Sequence, residues 1–368
     1  MKVGFDYQIF TLQAYGGISR YYVSLAEQLS ALGHSPKIFA PFHCNEYLST
    51  ASSQIVDGKR VANKNSKLMR LSLPVNQVVS NSRMRSWAPD VAHETYFSMF
   101  KPSRRSCPTV LTVYDMVHEK FPEEFSRWGN ISVRKRVAVE RADHVICISQ
   151  STRNDLIQAF NVDESKVSVV HLGFDNFAES SVNNESPGDT SRPYLLFVGN
   201  RTGYKNFHGF LKAFALSSAL KADYDIACFG GGAFTASETE LIRTLGLSPD
   251  RVVHRGGSDK ILGELYSRAV AFVYPSMYEG FGLPPLEAMA KGCPVIVSNS
   301  SSMPEVVGDA GCYFDPLSIE EMSSAMEKVV FSASLRQSLV TAGYNRLRKF
   351  SWASCAEKTM DVYTQVVG

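Results

Sequence analysis

"AVAFVYPSMYEGFGLPPLEAMAKG", residues 269–292, decides the fold class. It opens on an apolar run suited to a strand buried on both faces. Glycines at 280 and 282 follow, where the chain can pass close to a ligand with no Cβ in the way. Pro284 and Pro285 suit the first turn of a helix, which needs no N–H and wants proline's φ. Leu286, Ala288, Met289 and Ala290 continue that helix, and Gly292 is placed to end it. Strand, glycine loop and helix make one βα unit, whose free N–H groups and positive dipole end form a seat for an anion. Glu279 lies just before the seat and Glu287 lies in the helix's first turns, eight positions on. Either they bracket a ligand, or Glu287 complements the dipole while Glu279 is merely solvated.

The same alternation runs outward through the chain. The first half carries "KVGFD", "PKIFA", "DVAHE", "TVLTVYD", "HVICIS" and "KVSVVH". The second carries "YLLFVGN", "YDIACFG", "RVVHRG", "AVAFVYPS" and "CPVIVSN". Helical patterns separate them, as in parallel α/β sheets. "SETEL" (237–241) and "SIEEM" (318–322) both match the capping box. A chain of 368 residues exceeds what one core usually supports. We therefore expect two Rossmann-like domains that face each other across a cleft, residues 1–174 and 193–350. The polar stretch 175–192 would link them, and a final helix, 351–368, would cross back to the first domain.

Composition narrows the class. Hydrophobic residues make up 44% and charged residues 20%, as in a soluble globular protein. The start "MKVGFDYQIF" reads as a strand and not as a signal peptide, and no apolar run is long enough to span a membrane. Seven scattered cysteines with no C-x-x-C pair point to free thiols in a reducing compartment. The expected location is cytoplasmic. Residues 1–174 carry a net charge of +6 against −4 for the remainder. Ten of those cations (Lys59, Arg60, Lys64, Lys67, Arg70, Arg83, Arg85, Lys101, Arg104, Arg105) fall within 59–105. They form either an ordinary soluble surface or a face drawn to an anionic acceptor or the inner face of a membrane. They lack the interleaved aromatics of a nucleic-acid binder.

In parallel sheets ligands sit beyond the carboxyl ends of strands. That edge receives Gly17 from "AYGGIS", Asp115 and His118 from "VYDMVHE", Asn200, Arg201 and Lys205 from "FVGNRTGYKN", and "FGGG" at 229–232. Arg201 and Lys205, with the amides of Gly280, Phe281, Gly282, Leu283 and Gly17, would cradle a diphosphate. Asp223 and Asp225 match a metal-binding D-x-D, but they precede their strand and lie at the wrong end. No metal is expected, and neither a P-loop nor a G-x-G-x-x-G after the first strand is present. Carboxylates flanking a phosphate seat are suited to accept hydrogen bonds from hydroxyls on either side of it.

These motifs, with "ADHVICISQSTRNDL", "HLGFD" and "SSMPEVVGDAGCYFDP", resemble glycosyltransferase family 4, the retaining transferases of GT-B fold. "EGFGLPPLE" matches the family's E-x7-E element. The resemblance implies a bacterial polysaccharide-type hexosyltransferase that takes a nucleoside diphosphate sugar as substrate, with no further cofactor. A UDP-hexose such as UDP-glucose is slightly favoured over GDP-mannose. The acceptor would be a glycan or a polyprenyl-diphosphate-linked glycan. Glu287 would hold the donor ribose and Glu279 the sugar hydroxyls, with Arg201 and Lys205 on the diphosphate and Gly17 capping it. Attack would come from the front face, assisted by the donor phosphate, and domain closure would exclude water. Tyr114 stands where many members have His, so Asp115 and His118 are candidates for donor-sugar or acceptor contacts. A nucleotide-sugar 2-epimerase and a non-catalytic nucleotide-sugar-binding protein are the alternatives, and a membrane-recruitment module led by the 59–105 region is a third.

Overall fold

Runs such as YLLFV and TVLTV carry no charged side chain, and every residue in them is buried, as in a parallel sheet covered on both faces. The computed structural model describes residues 1–61, 72–102, 107–125, 131–174, 192–201 and 203–368. One set of strands is β1 (Lys2–Phe5), β2 (Ser35–His43), β3 (Val56–Arg60), β4 (Val91–Glu94), β5 (Thr109–Val113), β6 (His144–Cys147) and β7 (Val167–Val169). They form a sheet ordered β3-β2-β1-β4-β5-β6-β7. The other set is β8 (Tyr194–Val198), β9 (Asp225–Phe229), β10 (Val252–Arg255), β11 (Ala271–Tyr274), β12 (Val295–Ser298) and β13 (Gly311–Phe314), ordered β10-β9-β8-β11-β12-β13. Every pairing in both sheets is parallel.

The chain divides into two compact units, Met1–Gly173 with Phe350–Gly368, and Phe174–Lys349. Apart from Arg192, the stretch read as a linker lies outside the described residues. Two strands escape the sequence reading. β3 ("VDGKR") and β13 ("GCYF") are edge strands, so each needs an apolar face on one side at most. The first capping box is also displaced. Its reciprocal bonds join Thr235 and Glu238, at the start of the helix Ala236–Thr244, and not Ser237 and Glu240. Ser318 does cap its helix by accepting from the Glu321 amide, but the Glu321 carboxylate accepts from the Asp315 amide instead of closing a box.

In the second unit the helix Phe207–Leu216 turns Phe207, Phe210, Leu211 and Phe214 toward the sheet, the spacing of an amphipathic helix. In the first, the chain's last helix, Trp352–Val367, packs on the helix Gly17–Ala31, with Trp352 6.1 Å from Tyr21. A Cβ on Gly173 would lie 2.5 Å from the Trp352 backbone nitrogen, so no side chain fits where the chain leaves this unit. Near the other end of that helix the Tyr363 hydroxyl lies 2.6 Å from His93 Nδ1, and His93 Nε2 lies 2.8 Å from Thr112 Oγ1.

His93 gives the first unit a pH-dependent fastening. Complete burial pushes its ring down to about 3, from an ordinary 6.5. Between those values the unfolded chain binds the extra proton, so stability falls as pH drops below 6.5, by up to ~1.4 kcal/mol per pH unit. Urea unfolding at pH 7 and pH 5 should show this loss for the wild type and a smaller one for His93→Gln. Equal losses in both would assign the pH dependence to other groups.

Candidate functional site

Strand order reverses around β8, which lies between β9 and β11. At such a switch point the loops leaving two neighbouring strands diverge and open a crevice. β8 leads into Gly199–Lys205 and β11 into Pro275–Gly282, and the Met277 amide donates to the Tyr204 carbonyl across them at 2.8 Å. This places Lys205 Nζ 2.6 Å from Glu279 Oε1, with the rings of Tyr204 and Tyr274 5.1 and 5.8 Å from the ammonium. Gly282, at φ 106°, turns the chain into the helix Leu283–Ala290, a conformation that disfavours any side chain. Gly280, Phe281 and Gly282 are buried, Leu283 is half-buried, and Glu287 one turn on accepts from the Tyr266 hydroxyl at 3.3 Å. Lys205, Glu279, the 280–283 segment and Glu287 are therefore gathered by one pair of loops.

A run of serines from the end of β12 onward holds that pair in place, and the sequence alone assigned it no role. Ser298 Oγ donates to the Ser276 carbonyl at 2.7 Å, and Ser300 Oγ to that of Met277 at 2.9 Å. Ser301 Oγ accepts from the Glu279 amide at 2.9 Å. Ser302 Oγ lies 3.0 and 2.8 Å from the carbonyls of Glu279 and Phe281. Four hydroxyls thus fix a buried loop whose backbone forms no strand or helix with a neighbour, as buried polar groups require. Four serines among five residues between a strand and a helix were the available signal.

Arg201, expected on the diphosphate, bonds here within its own unit. Its Nε donates to Glu238 Oε1 at 2.7 Å, Nη1 to the Gly230 carbonyl at 2.9 Å, and Nη2 to the carbonyls of Gly232 and Ala233 at 2.9 and 3.0 Å. The buried guanidinium ties the FGGG loop after β9 to the capping box, with Nε, Nη1 and Nη2 each donating to the protein. Burial opposes ionisation of Glu238, but hydrogen bonds from Arg201 and Thr235 outweigh it and hold the carboxyl below its usual range. Asn200, just before it, is exposed at the carboxyl end of β8. Asp225, of the discarded D-x-D, sits at the start of β9 and accepts from Arg251 Nε at 2.8 Å.

Gly17, Asp115 and His118 belong to the first unit. Gly17 is exposed and opens its helix, where the Gln13 carboxamide accepts from the Ser19 amide at 3.3 Å. Asp115 follows β5 in a loop and His118 lies in the short helix Val117–Lys120, both beside Lys135, only 1% exposed. The Lys135 ammonium donates to the Asp115 carbonyl at 2.9 Å and to Glu119 Oε2 at 2.7 Å. His118 lies 4.1 Å from the Phe125 ring, and burial followed by the Lys135 charge lowers its affinity for a proton. The sheet of this unit reverses around β1, and a cavity of about 420 Å³ opens there. Tyr7, Gln8 and Leu12 line it from after β1, Ser98, Met99 and Phe100 from after β4, and Arg134 supplies a cation. Of the basic residues in 59–105, Lys64, Lys67, Arg70, Arg104 and Arg105 lie outside the described residues. Arg60, Arg83 and Lys101 pair with Glu46, Asp57 and Asp143, which leaves less charge to face a partner. No helix among the described residues is long and apolar enough to cross a membrane.

The family model described as Glycosyltransferase Family 4 matches residues 15–176, and that described as Glycosyl transferases group 1 matches residues 180–346. O-antigen chain mannosyltransferase B of Escherichia coli is 29% identical over 266 residues, 67% of this chain and 66% of that protein. O-antigen chain mannosyltransferase RfbU of Salmonella typhimurium is 30% identical over 222 residues, 60% of each. The alignments thus span less than two thirds of the length of these curated relatives. The structure of sucrose-phosphate synthase from Thermosynechococcus elongatus matches at a TM-score of 0.74 with 19% identity, covering 99% of this chain and 98% of that one, a likeness of fold.

The geometry separates the two cations by experiment. Arg201→Met removes a donor from a buried carboxylate and from the carbonyls of Gly230, Gly232 and Ala233, and should lower stability in urea unfolding by about 3 kcal/mol. Arg201→Lys should not restore it, because an ammonium cannot reproduce the forked donors. A variant Arg201→Met as stable as the wild type would return the guanidinium to the ligand.

Proposed function

The chain belongs to glycosyltransferase family 4, with the GT-B fold, and on that premise we propose that it transfers mannose from GDP-mannose to a glycan or polyprenyl-diphosphate-linked glycan acceptor in O-antigen-type assembly. The observation that carries the site is the Lys205–Glu279 pair, 2.6 Å apart, beside the helix N-terminus at 280–283. The mannosyltransferase names of the curated relatives support the sugar, and the slight preference for UDP-glucose gives way to them.

In this reading the donor diphosphate lies on Lys205 and on the amides of Gly280, Phe281, Gly282 and Leu283. Each charge-assisted hydrogen bond contributes about 1.5–3 kcal/mol. Lys205 thereby stabilises the charge that grows on the leaving diphosphate, and no metal is required for it. Glu287 accepts from the ribose hydroxyls and Glu279 from those of the mannose. Arg201 acts from behind, by holding the FGGG loop, and Asn200 is retained as a donor contact. The acceptor falls to the first unit, where the cavity around Tyr7, Phe100 and Arg134 combines an apolar wall with a cation suited to a phosphorylated lipid carrier. Gly17, Asp115 and His118 are proposed contacts from that unit, His118 with a neutral ring.

Transfer proceeds with retention. The bond from the anomeric carbon to the phosphate oxygen breaks, and the acceptor oxygen bonds to the same face. The acceptor's proton passes to the departing phosphate oxygen. The protein contributes orientation and charge stabilisation.

Calorimetry with GDP, UDP, GDP-mannose and UDP-glucose tests the donor. GDP-mannose should bind tightest, with or without EDTA, and Lys205→Met should weaken it roughly tenfold or more, for one lost charge-assisted bond. Preference for UDP-glucose would restore the other donor, and affinity lost with EDTA would remove the metal-free reading.

A further inference from the structure

The cation that a diphosphate would need already carries an anion. Glu279 Oε1 lies 2.6 Å from Lys205 Nζ, and the two side chains are only 16% and 13% exposed, Lys205 first. Among the described residues Glu279 is the polar partner of that ammonium, and the rings of Tyr204 and Tyr274 flank it. The Glu279 backbone is fixed without help from this pair. Its amide donates to Ser301 Oγ at 2.9 Å, and its carbonyl accepts from Ser302 Oγ at 3.0 Å. The carboxylate can therefore change partners while the loop stays in place.

We infer that Glu279 makes the site discriminate between the intact nucleotide-sugar and the nucleoside diphosphate left after transfer, favouring the first and disfavouring the second. The inference rests on the donor roles proposed above for Lys205 and Glu279. An ammonium has three donors, so a phosphate oxygen can join the carboxylate on it, and the two anions then stand roughly 4–5 Å apart. That is inside the screening length of ~8 Å at physiological salt, and a shielded pair is screened less still. With the intact donor, sugar hydroxyls donate to the carboxylate and offset the repulsion. After transfer the sugar is gone and nothing takes their place. The exposed terminal phosphate also gains roughly one further negative charge near pH 7. Repulsion is then greatest at the step where the product must leave. The same carboxylate holds the sugar before transfer and weakens the hold on the diphosphate afterwards.

The test uses the full chain as wild type, Glu279→Gln and Glu279→Ala, with the dissociation constants of GDP and GDP-mannose measured by calorimetry beside the thermal midpoint. Glu279→Gln keeps the shape of the side chain and removes its charge. It should tighten GDP by about tenfold and should not tighten GDP-mannose by more than about twofold, so the preference for the intact donor shrinks. Glu279→Ala should tighten GDP as well and weaken GDP-mannose, because the sugar loses its acceptor altogether. A purely structural role would lower the midpoint and weaken both ligands alike, which overturns the inference. So would a GDP affinity that stays the same or falls in Glu279→Gln. Equal tightening of both ligands also overturns it, because the carboxylate would then repel the diphosphate without touching the sugar. If the wild type prefers UDP and UDP-glucose, the same comparison is made with that pair. If it binds neither pair, or if Lys205→Met leaves its affinities unchanged, the donor site proposed above has failed and the inference falls with it. Wild-type binding that depends on Lys205, with the wrong Glu279 pattern, sinks the inference alone.

Discussion

The whole site depends on one constraint of parallel sheets. Every strand ends at the same edge, and the order of strands reverses once, so two loops from adjacent strands part company there. In the second unit those loops follow β8 and β11, and a single backbone bond, from the Met277 amide to the Tyr204 carbonyl, sets their spacing. Lys205 and Glu279 meet because each is a few residues beyond the end of its strand. Their placement beside the N-terminus of the helix Leu283–Ala290 is the arrangement on which the proposed donor site rests.

Around this pair the molecule invests in rigidity. The serines at 298, 300, 301 and 302 bind the 276–281 backbone, Arg201 binds the carbonyls of 230, 232 and 233, and Tyr266 reaches Glu287. All are buried or half-buried polar contacts, which are costly to leave unmade and so define one geometry. The loops that would touch a donor are irregular in backbone but determined in position. The first unit repeats the plan in part, with a cavity at its own reversal around β1 and a buried ammonium under the loop that follows β5.

Much of this was legible in the sequence. Long apolar runs marked the buried strands, and the glycine and proline spacing in EGFGLPPLE marked the loop and helix that carry the glutamates. β3 and β13 were hidden because an edge strand does not need a continuous apolar run. The first capping box was misplaced because two overlapping matches, Thr235 with Glu238 and Ser237 with Glu240, cannot be ranked without knowing that Glu238 also answers Arg201. The inward turn of Arg201 was hidden for a related reason. A basic residue just past a strand looks the same whether it faces a phosphate or the carbonyls of a distant glycine loop.

The central claim is that the β8 and β11 loops hold a diphosphate, and a crystal structure with GDP-mannose bound tests it most directly. The account predicts diphosphate oxygens within roughly 2.7–3.2 Å of Lys205 Nζ and of amides in the 280–283 segment, with Arg201 still on Gly230, Gly232 and Ala233. A diphosphate seated on a released Arg201, or a nucleotide bound away from both loops, would contradict it.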